Sequence, residues 1–104
     1  AKRVWIAGAL AVSGRLHLDA GAAVAVRAGR SLLAAGLTQV EGSFDRGSAI
    51  RLVDPAGAEF ATALAGYDSH ECRQIAGKQS DAIEAALGYR RGVALVHATD
   101  LVLD

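Results

Sequence analysis

The segment covering residues 16–36 constrains the fold most, because it changes from a strand pattern to a helix pattern at a single residue, Asp19. Two leucines alternate with polar residues just before Asp19, which predicts a short strand with one face toward solvent. Asp19 then occupies the position of a helix N-cap, where its carboxylate can accept from free backbone N–H groups. The pattern predicts a helix over residues 20–28 that ends at Gly29 in the left-handed conformation.

The predicted helix carries one charged side chain, Arg27, and otherwise only Ala, Gly and Val. Small side chains allow close approach to a neighbouring layer, so we expect the helix to be buried against a sheet. Its small-residue surface around Ala22 and Val26 is a candidate contact between copies of the chain. Residues 31–36 are predicted to form a compact loop in which Gly36 is free to adopt a positive φ.

Short strands are predicted over much of the remaining chain. Residues 49–64 form a predicted β-hairpin, because Pro55 suits the first corner of a turn and the glycine two residues later suits its end. The other predicted strands cover residues 4–6, 39–44, 93–97 and 101–103.

Two further helices are predicted after the hairpin. Asp68 and Glu71 have the spacing of a capping box, and Ser80 is the predicted cap of a second helix that stops at Gly88. Strands with about three short helices and no alternation of strand and helix predict a mixed β/α barrel of short, mostly antiparallel strands. The residues predicted to have structural roles as caps, turns or closely packed positions are Asp19, Gly29, Gly36, Pro55 and Gly88.

Composition predicts one globular domain over residues 1–104, with 52% hydrophobic and 21% charged residues. Eleven basic and eleven acidic side chains give a net charge of zero. Residues 1–30 hold five of the basic groups and one acidic group, so the rest of the chain is acidic. This balance lacks the strongly basic character of a dedicated nucleic-acid binder. Because the sequence has no methionine, we expect it to be part of a longer protein.

The single cysteine, Cys72, excludes an internal disulfide and favours a reducing, cytoplasmic compartment. Lys2 and Arg3 precede an apolar run of nine residues, which superficially resembles a secretory signal but contains Gly8. No run approaches the roughly 20 apolar residues of a membrane span. We therefore expect a cytoplasmic location and no membrane partner.

Catalytic and metal-binding residues are not predicted. The sequence has neither a Walker phosphate loop nor a dinucleotide-binding glycine motif. Ser69, His70 and Cys72 are neighbours at a helix start, where their side chains point in different directions. His70 and Cys72 could ligate zinc together with His17 or His97, but the paired spacing of zinc ligands is absent.

An RNA-binding role is the one functional interpretation that the residues themselves suggest. Arg27, Arg30, Ser31 and Gly36 are the candidate contacts, because backbone N–H groups and arginines of this loop could meet phosphates. Two arginines provide little electrostatic affinity, so RNA binding is not the favoured interpretation.

Several motifs carry a family resemblance, in order along the chain. They are Asp-x-Gly-Ala at 19–22, Ser-Leu-Leu-x-x-Gly at 31–36, Val-Glu-Gly-Ser-Phe-Asp-Arg-Gly at 40–47, Gly-Tyr-Asp-Ser at 66–69, Ile-Ala-Gly-Lys-Gln-Ser at 75–80 and Leu-Gly-Tyr at 87–89. The chain resembles a PUA domain, and more narrowly the C-terminal PUA domain of bacterial glutamate 5-kinases. This resemblance covers essentially the whole sequence and implies the PUA pseudo-barrel.

The resemblance also implies a function. Glutamate 5-kinases transfer the γ-phosphate of ATP to the γ-carboxylate of L-glutamate, the first step of proline biosynthesis. Their ATP, Mg and glutamate sites belong to an amino-acid kinase domain, which is the expected partner of this chain. The 104 residues are then a non-catalytic accessory domain without a cofactor of its own, open to contacts in a homo-oligomer. The alternative is the RNA-binding PUA module of a tRNA- or rRNA-modifying enzyme, in which the helix and the loop after it face RNA.

Overall fold

Short strands and three helices make up the protein in a computed structural model that describes residues 12–88 and 94–104. The predicted strand at 4–6 lies outside these residues, as do Lys2 and Arg3. The elements are β1 (Gly14–Leu18), α1 (Ala20–Arg27), β2 (Leu32–Leu33), a 3₁₀ turn (Ala34–Gly36), β3 (Leu37–Gly42), β4 (Ala49–Val53), β5 (Glu59–Leu64), α2 (Ser69–Ile75), α3 (Ser80–Leu87), β6 (Ala94–Val96), a second 3₁₀ turn (Ala98–Asp100) and β7 (Leu101–Leu103). The predicted mixed β/α fold of short, mostly antiparallel strands is confirmed.

Strand β1 lies inside a five-stranded sheet with the order β3-β1-β4-β5-β7. It pairs antiparallel with β3 and parallel with β4, and the remaining pairs in this sheet are antiparallel. Strands β2 and β6 form a separate antiparallel pair. The alternation of β1 determines its orientation: Leu16 and Leu18 are buried while Arg15 is exposed, as the period of two predicts.

The hairpin of β4 and β5 closes through a turn that Asp54 organises. Its carboxylate oxygen Oδ1 accepts from the backbone N–H groups of Ala56 and Ala58, at 3.0 and 2.9 Å. Pro55 follows Asp54, and Gly57 takes a φ of +89° that other residues rarely adopt. The predicted hairpin over residues 49–64 is confirmed.

Helix α1 contacts the core through one face only. Ala23 and Val26 are buried, whereas Val24 is 67% exposed. The expected burial against a sheet therefore holds for this face and not for the opposite one, and the proposed contact between copies at Val26 is wrong because that side chain is fully buried. Close packing on one side explains the small residues: Ala22 lies against Gly36.

Helix α2 begins with the predicted capping box. Asp68 Oδ1 accepts from the Glu71 N–H at 2.8 Å, and Glu71 Oε1 accepts from the Asp68 N–H at 3.1 Å. Cys72 faces the core, and burial raises the pKa of its thiol to about 12. In α3 the N-cap position belongs to Gln79, so the prediction of Ser80 as the cap is wrong by one residue. Gly88 ends α3 with a φ of +80°.

The core fills the space between the five-stranded sheet and the helices. Its large, fully buried side chains come from every layer: Leu16, Leu18, Val26, Leu32, Leu37, Ile50, Leu52, Tyr67, Ile75, Ile83 and Leu95. Among the described residues, the helices are too short and too polar to span a bilayer.

Candidate binding site

A pocket of about 330 Å³ opens between α1 and the segment that follows it. Helix α1 forms one wall, and residues 30–36 form the other. The lining residues are Asp19, Gly21, Ala22, Ala25, Arg30, Ser31, Leu32, Leu33, Ala35 and Gly36. We call this cavity the helix pocket.

Close contact between Gly36 and α1 holds the two walls of the helix pocket together. The Gly36 carbonyl accepts from the Asp19 N–H at 2.9 Å. A Cβ at position 36 would overlap the Cβ of Ala22, so only glycine fits there. Gly36 does not have a positive φ. The prediction of a left-handed Gly36 is therefore wrong, and the reason for glycine is space rather than backbone conformation.

Asp19 begins α1 at the mouth of the helix pocket. Its Oδ1 accepts from the Ala22 N–H at 2.7 Å, the hydrogen bond of an N-cap. At the other end of the helix, Gly29 has a φ of +93° and turns the chain back toward the pocket. The caps at both ends therefore determine where the pocket wall begins and where the following loop leaves the helix.

Arg30 is the cation of the helix pocket. Its backbone N–H donates to the Ala25 carbonyl at 3.0 Å, which fixes the start of the loop. Within the part of the chain that the structure describes, it is the one arginine whose side chain donates to no carboxylate or carbonyl. Ser31 is held differently, because its Oγ accepts from the Ala98 N–H at 3.0 Å.

Arg27 is directed away from the helix pocket. Its Nη2 donates to Asp54 Oδ2 at 2.7 Å, and its guanidinium carbon lies 4.2 Å from the centre of the Phe60 ring. The hydrogen bond from Arg27 is the main cause that holds the pKa of the Asp54 carboxyl below its usual range. The structure therefore brings together three of the four predicted contacts, Arg30, Ser31 and Gly36, and separates Arg27 from them.

The lining determines what the helix pocket can bind. Its accessible surface is mostly apolar and comes from Ala22, Ala25, Leu32, Leu33 and Ala35. The rim carries two opposite charges, the Arg30 guanidinium and the Asp19 carboxylate, because the hydrogen bond from the Ala22 N–H does not neutralise that carboxylate. Such a pocket suits an apolar group whose polar end places an acceptor toward Arg30 and keeps it away from Asp19.

Sequence reasoning missed the apolar wall of the helix pocket. Leu33 is 44% exposed although it belongs to a Ser-Leu-Leu pattern that suggests burial. The alternation in β2 was the available signal, because Leu32 is buried and its neighbour must then point outward. The candidate zinc ligands do not come together: among the described residues, no three His, Cys, Asp or Glu side chains are close enough to hold a metal ion.

Comparison with known proteins identifies the fold family. Residues 14–87 match the sequence model of the PUA domain. The chain belongs to the PUA domain family. This PUA domain is 53% identical to glutamate 5-kinase 1 of Rhizobium meliloti (strain 1021) over 103 residues, which is 99% of the chain and 26% of that protein. It thus spans about a quarter of the length of the curated relatives it matches, in their C-terminal portion.

Solved structures agree with this assignment. A PUA domain from Aeropyrum pernix K1, crystallised as a tartrate complex, superposes with a TM-score of 0.61 at 26% identity and covers 82% of this chain and 41% of its own. The archaeal box H/ACA sRNP Nop10–Cbf5 complex contains a chain with a TM-score of 0.58 at 15% identity, covering 88% of this chain and 23% of its own. At that identity the second likeness shows the fold alone.

Proposed function

We propose that residues 1–104 form a single PUA domain that serves as the non-catalytic C-terminal accessory domain of a cytoplasmic glutamate 5-kinase. One observation carries the proposal: 99% of the chain aligns at 53% identity with the C-terminal portion of a glutamate 5-kinase. In the proposal, the remainder of the longer protein phosphorylates L-glutamate with ATP in the first step of proline biosynthesis. ATP and Mg then belong to that remainder.

The helix pocket supports an accessory role. Phosphoryl transfer depends on several positive groups and metal ions arranged around the phosphates. The helix pocket instead offers one arginine, Arg30, beside an apolar wall. Those groups are suited to holding a partner rather than to stabilising the charge of a transferred phosphoryl group.

The experiment compares the longer protein with residues 1–104 alone. We expect the longer protein to form ADP from ATP only when L-glutamate is present, and the isolated domain to form none. A longer protein without glutamate-dependent ADP formation would refute the proposed parent enzyme. Activity in residues 1–104 would refute the non-catalytic assignment.

The RNA-binding alternative has less support. Arg27 is engaged with Asp54 and Phe60, so Arg30 is the remaining arginine of the predicted set. One phosphate contact gives a slope of about −0.7 for the logarithm of the binding constant against the logarithm of salt concentration on single strands. We therefore expect no tight tRNA binding in fluorescence anisotropy titrations at physiological salt. Micromolar binding that Arg30→Ala abolishes would favour the alternative instead.

A further inference from the structure

Arg30 lines two depressions, one mostly apolar and the other about equally polar and apolar. One is the helix pocket, and the other is a pocket of about 270 Å³ between the end of α1 and strand β7. Arg30 lines both, and Leu101 and Leu103 supply accessible apolar surface to the second. The two pockets adjoin at Arg30 and together present one surface. We call it the two-pocket surface.

Exposed leucines lie on both sides of this arginine. Leu33 in the helix pocket is 44% exposed, and Leu103 in the second pocket is 41% exposed. The Arg30 side chain donates to no acceptor among residues 12–88 and 94–104, and exposed apolar side chains lie around it. This combination is typical of a protein–protein contact, where arginine is enriched and apolar side chains fill pockets. A single cation on an apolar surface is poorly suited to a nucleic-acid backbone.

We propose that the two-pocket surface docks the preceding portion of the longer protein, through a carboxylate that pairs with Arg30 and apolar side chains that enter the two pockets. This inference rests on the proposed function, because that function supplies the preceding portion. The chain covers 26% of the relative's length, so about three-quarters of such a protein lies outside this domain. The positive charge of Arg30 favours an acidic group on the docked portion. The leucines on either side of Arg30 favour apolar side chains next to that acidic group.

The connection between the two portions permits this docking. The described chain enters β1 at Gly14, and the helix pocket begins at the other end of that strand, at Asp19. A five-residue strand is about 17 Å long, so the described chain enters the domain within about 17 Å of the helix pocket. A tethered partner is present at an effective concentration in the millimolar range, so a modest contact area is sufficient for docking.

Hydrogen exchange in the longer protein tests the docking. We expect backbone amides of residues 30–36 and 101–103 to exchange at least about tenfold faster when Arg30→Glu or Leu33→Asp is introduced, because each change removes a central contact. The matched apolar control is Val24→Asp, since Val24 is more exposed than Leu33 but lines neither pocket. The matched charge control is Lys78→Glu at another exposed cation outside both pockets. Both controls should leave these amides unchanged.

A second measurement separates undocking from local unfolding. In residues 1–104 alone, Arg30→Glu should leave the same amides unchanged, because the preceding portion is absent. Unchanged exchange in the longer protein with Arg30→Glu and Leu33→Asp would overturn the proposal. Protection of residues 1–104 that increases with protein concentration would assign the surface to a second copy, and protection on addition of tRNA would assign it to RNA.

The activity assay keeps this inference distinct from the proposed function. If the longer protein lacks glutamate-dependent ADP formation but shows the variant-sensitive protection, the kinase assignment fails and the docking stands. If it has the activity but Arg30→Glu leaves its protection unchanged, the docking fails and the kinase assignment stands.

Discussion

Replacing Gly36 with alanine tests the close contact that builds the helix pocket. The added Cβ would overlap the Cβ of Ala22, which has no rotatable bond with which to move aside, and would lie 3.5 Å from the Ala22 Cα. Overpacking of this kind costs about 1–3 kcal/mol. Because the φ of Gly36 is not positive, alanine adds no strain of that kind, and it lowers the entropy of the unfolded chain by an amount worth about 0.4–1 kcal/mol. The expected net loss in the free energy of unfolding is about 1–2 kcal/mol.

A second substitution makes the test specific for the Gly36–Ala22 contact. Ala22→Gly alone should cost about 1 kcal/mol through helix propensity. In combination with Gly36→Ala it removes the colliding atom, so the double variant should be no less stable than Ala22→Gly alone. If the two effects were independent, the losses would add to about 2–3 kcal/mol. The difference between these two outcomes measures the contact.

Urea unfolding followed by circular dichroism is the assay. The free energy of unfolding of a domain of this size falls by about 2 kcal/mol per molar urea. Gly36→Ala should therefore lower the urea concentration at the midpoint of unfolding by about 0.5–1 M. The control is Gly21→Ala, because a Cβ at that exposed helical position meets only Asp19 Oδ1 at an ordinary 3.6 Å. This control should stabilise the protein. An unchanged midpoint for Gly36→Ala, or additive losses in the double variant, would refute the reasoning.

Four further outcomes follow from single side chains. Asp19→Ala should lower the free energy of unfolding by about 1 kcal/mol, and an unchanged melting temperature would show that this carboxylate does not stabilise α1. Val24→Lys should change the free energy of unfolding by less than about 0.5 kcal/mol, because Val24 is mostly exposed; a larger loss on urea unfolding would reveal a contact. A hydrogen bond from Arg51 lowers the pKa of the Asp104 carboxyl in the folded protein. The ionised carboxylate therefore stabilises the fold fully at a pH above its pKa in the unfolded chain, about 4, and this stabilisation is lost as the pH falls through the lower pKa of the folded state. Asp104→Asn should therefore lower the urea midpoint more at pH 7 than at pH 2, and equal shifts at both would contradict this. The Cys72 thiol, with a pKa of about 12, should react with a thiol reagent slowly at pH 8 in the native protein and completely in urea, and fast native reaction would exclude burial.

Local patterns predicted the elements whose partners are close in sequence. The capping box of α2 joins residues three apart, and the turn at Asp54 is complete within four residues. Gly88 likewise ends α3 without help from the rest of the fold. In each case the side-chain chemistry and the spacing are sufficient, because the interacting groups are brought together by the local backbone itself.

Contacts between distant segments are where sequence reasoning failed. Arg27 looked like part of a basic loop, but its carboxylate partner is 27 residues away in the hairpin turn. The small residues of α1 suggested burial against a sheet, but only one face is buried: Ala22 lies against Gly36, whereas Val24 is exposed to solvent. No local pattern states which segment will pack against a helix face. Arg30 and Ser31 do lie together with Gly36 around the helix pocket because the three belong to one short loop, and their contact with RNA stays a prediction.

Insertion of β1 between β3 and β4 has a consequence for the order of folding. Leu16 in β1 lies opposite Leu52 in β4, so this parallel pair closes a loop of about 36 residues, whereas the β4–β5 hairpin closes one of about five. The longer closure costs about 2 kcal/mol more in chain entropy, which favours formation of the hairpin before β1 joins it. Helix α1 starts one residue after β1, at the mouth of the helix pocket. The helix pocket closes between Asp19 and Gly36 across a loop of about 17 residues, so its walls meet at a smaller cost in chain entropy than the β1–β4 pair and at a larger cost than the hairpin.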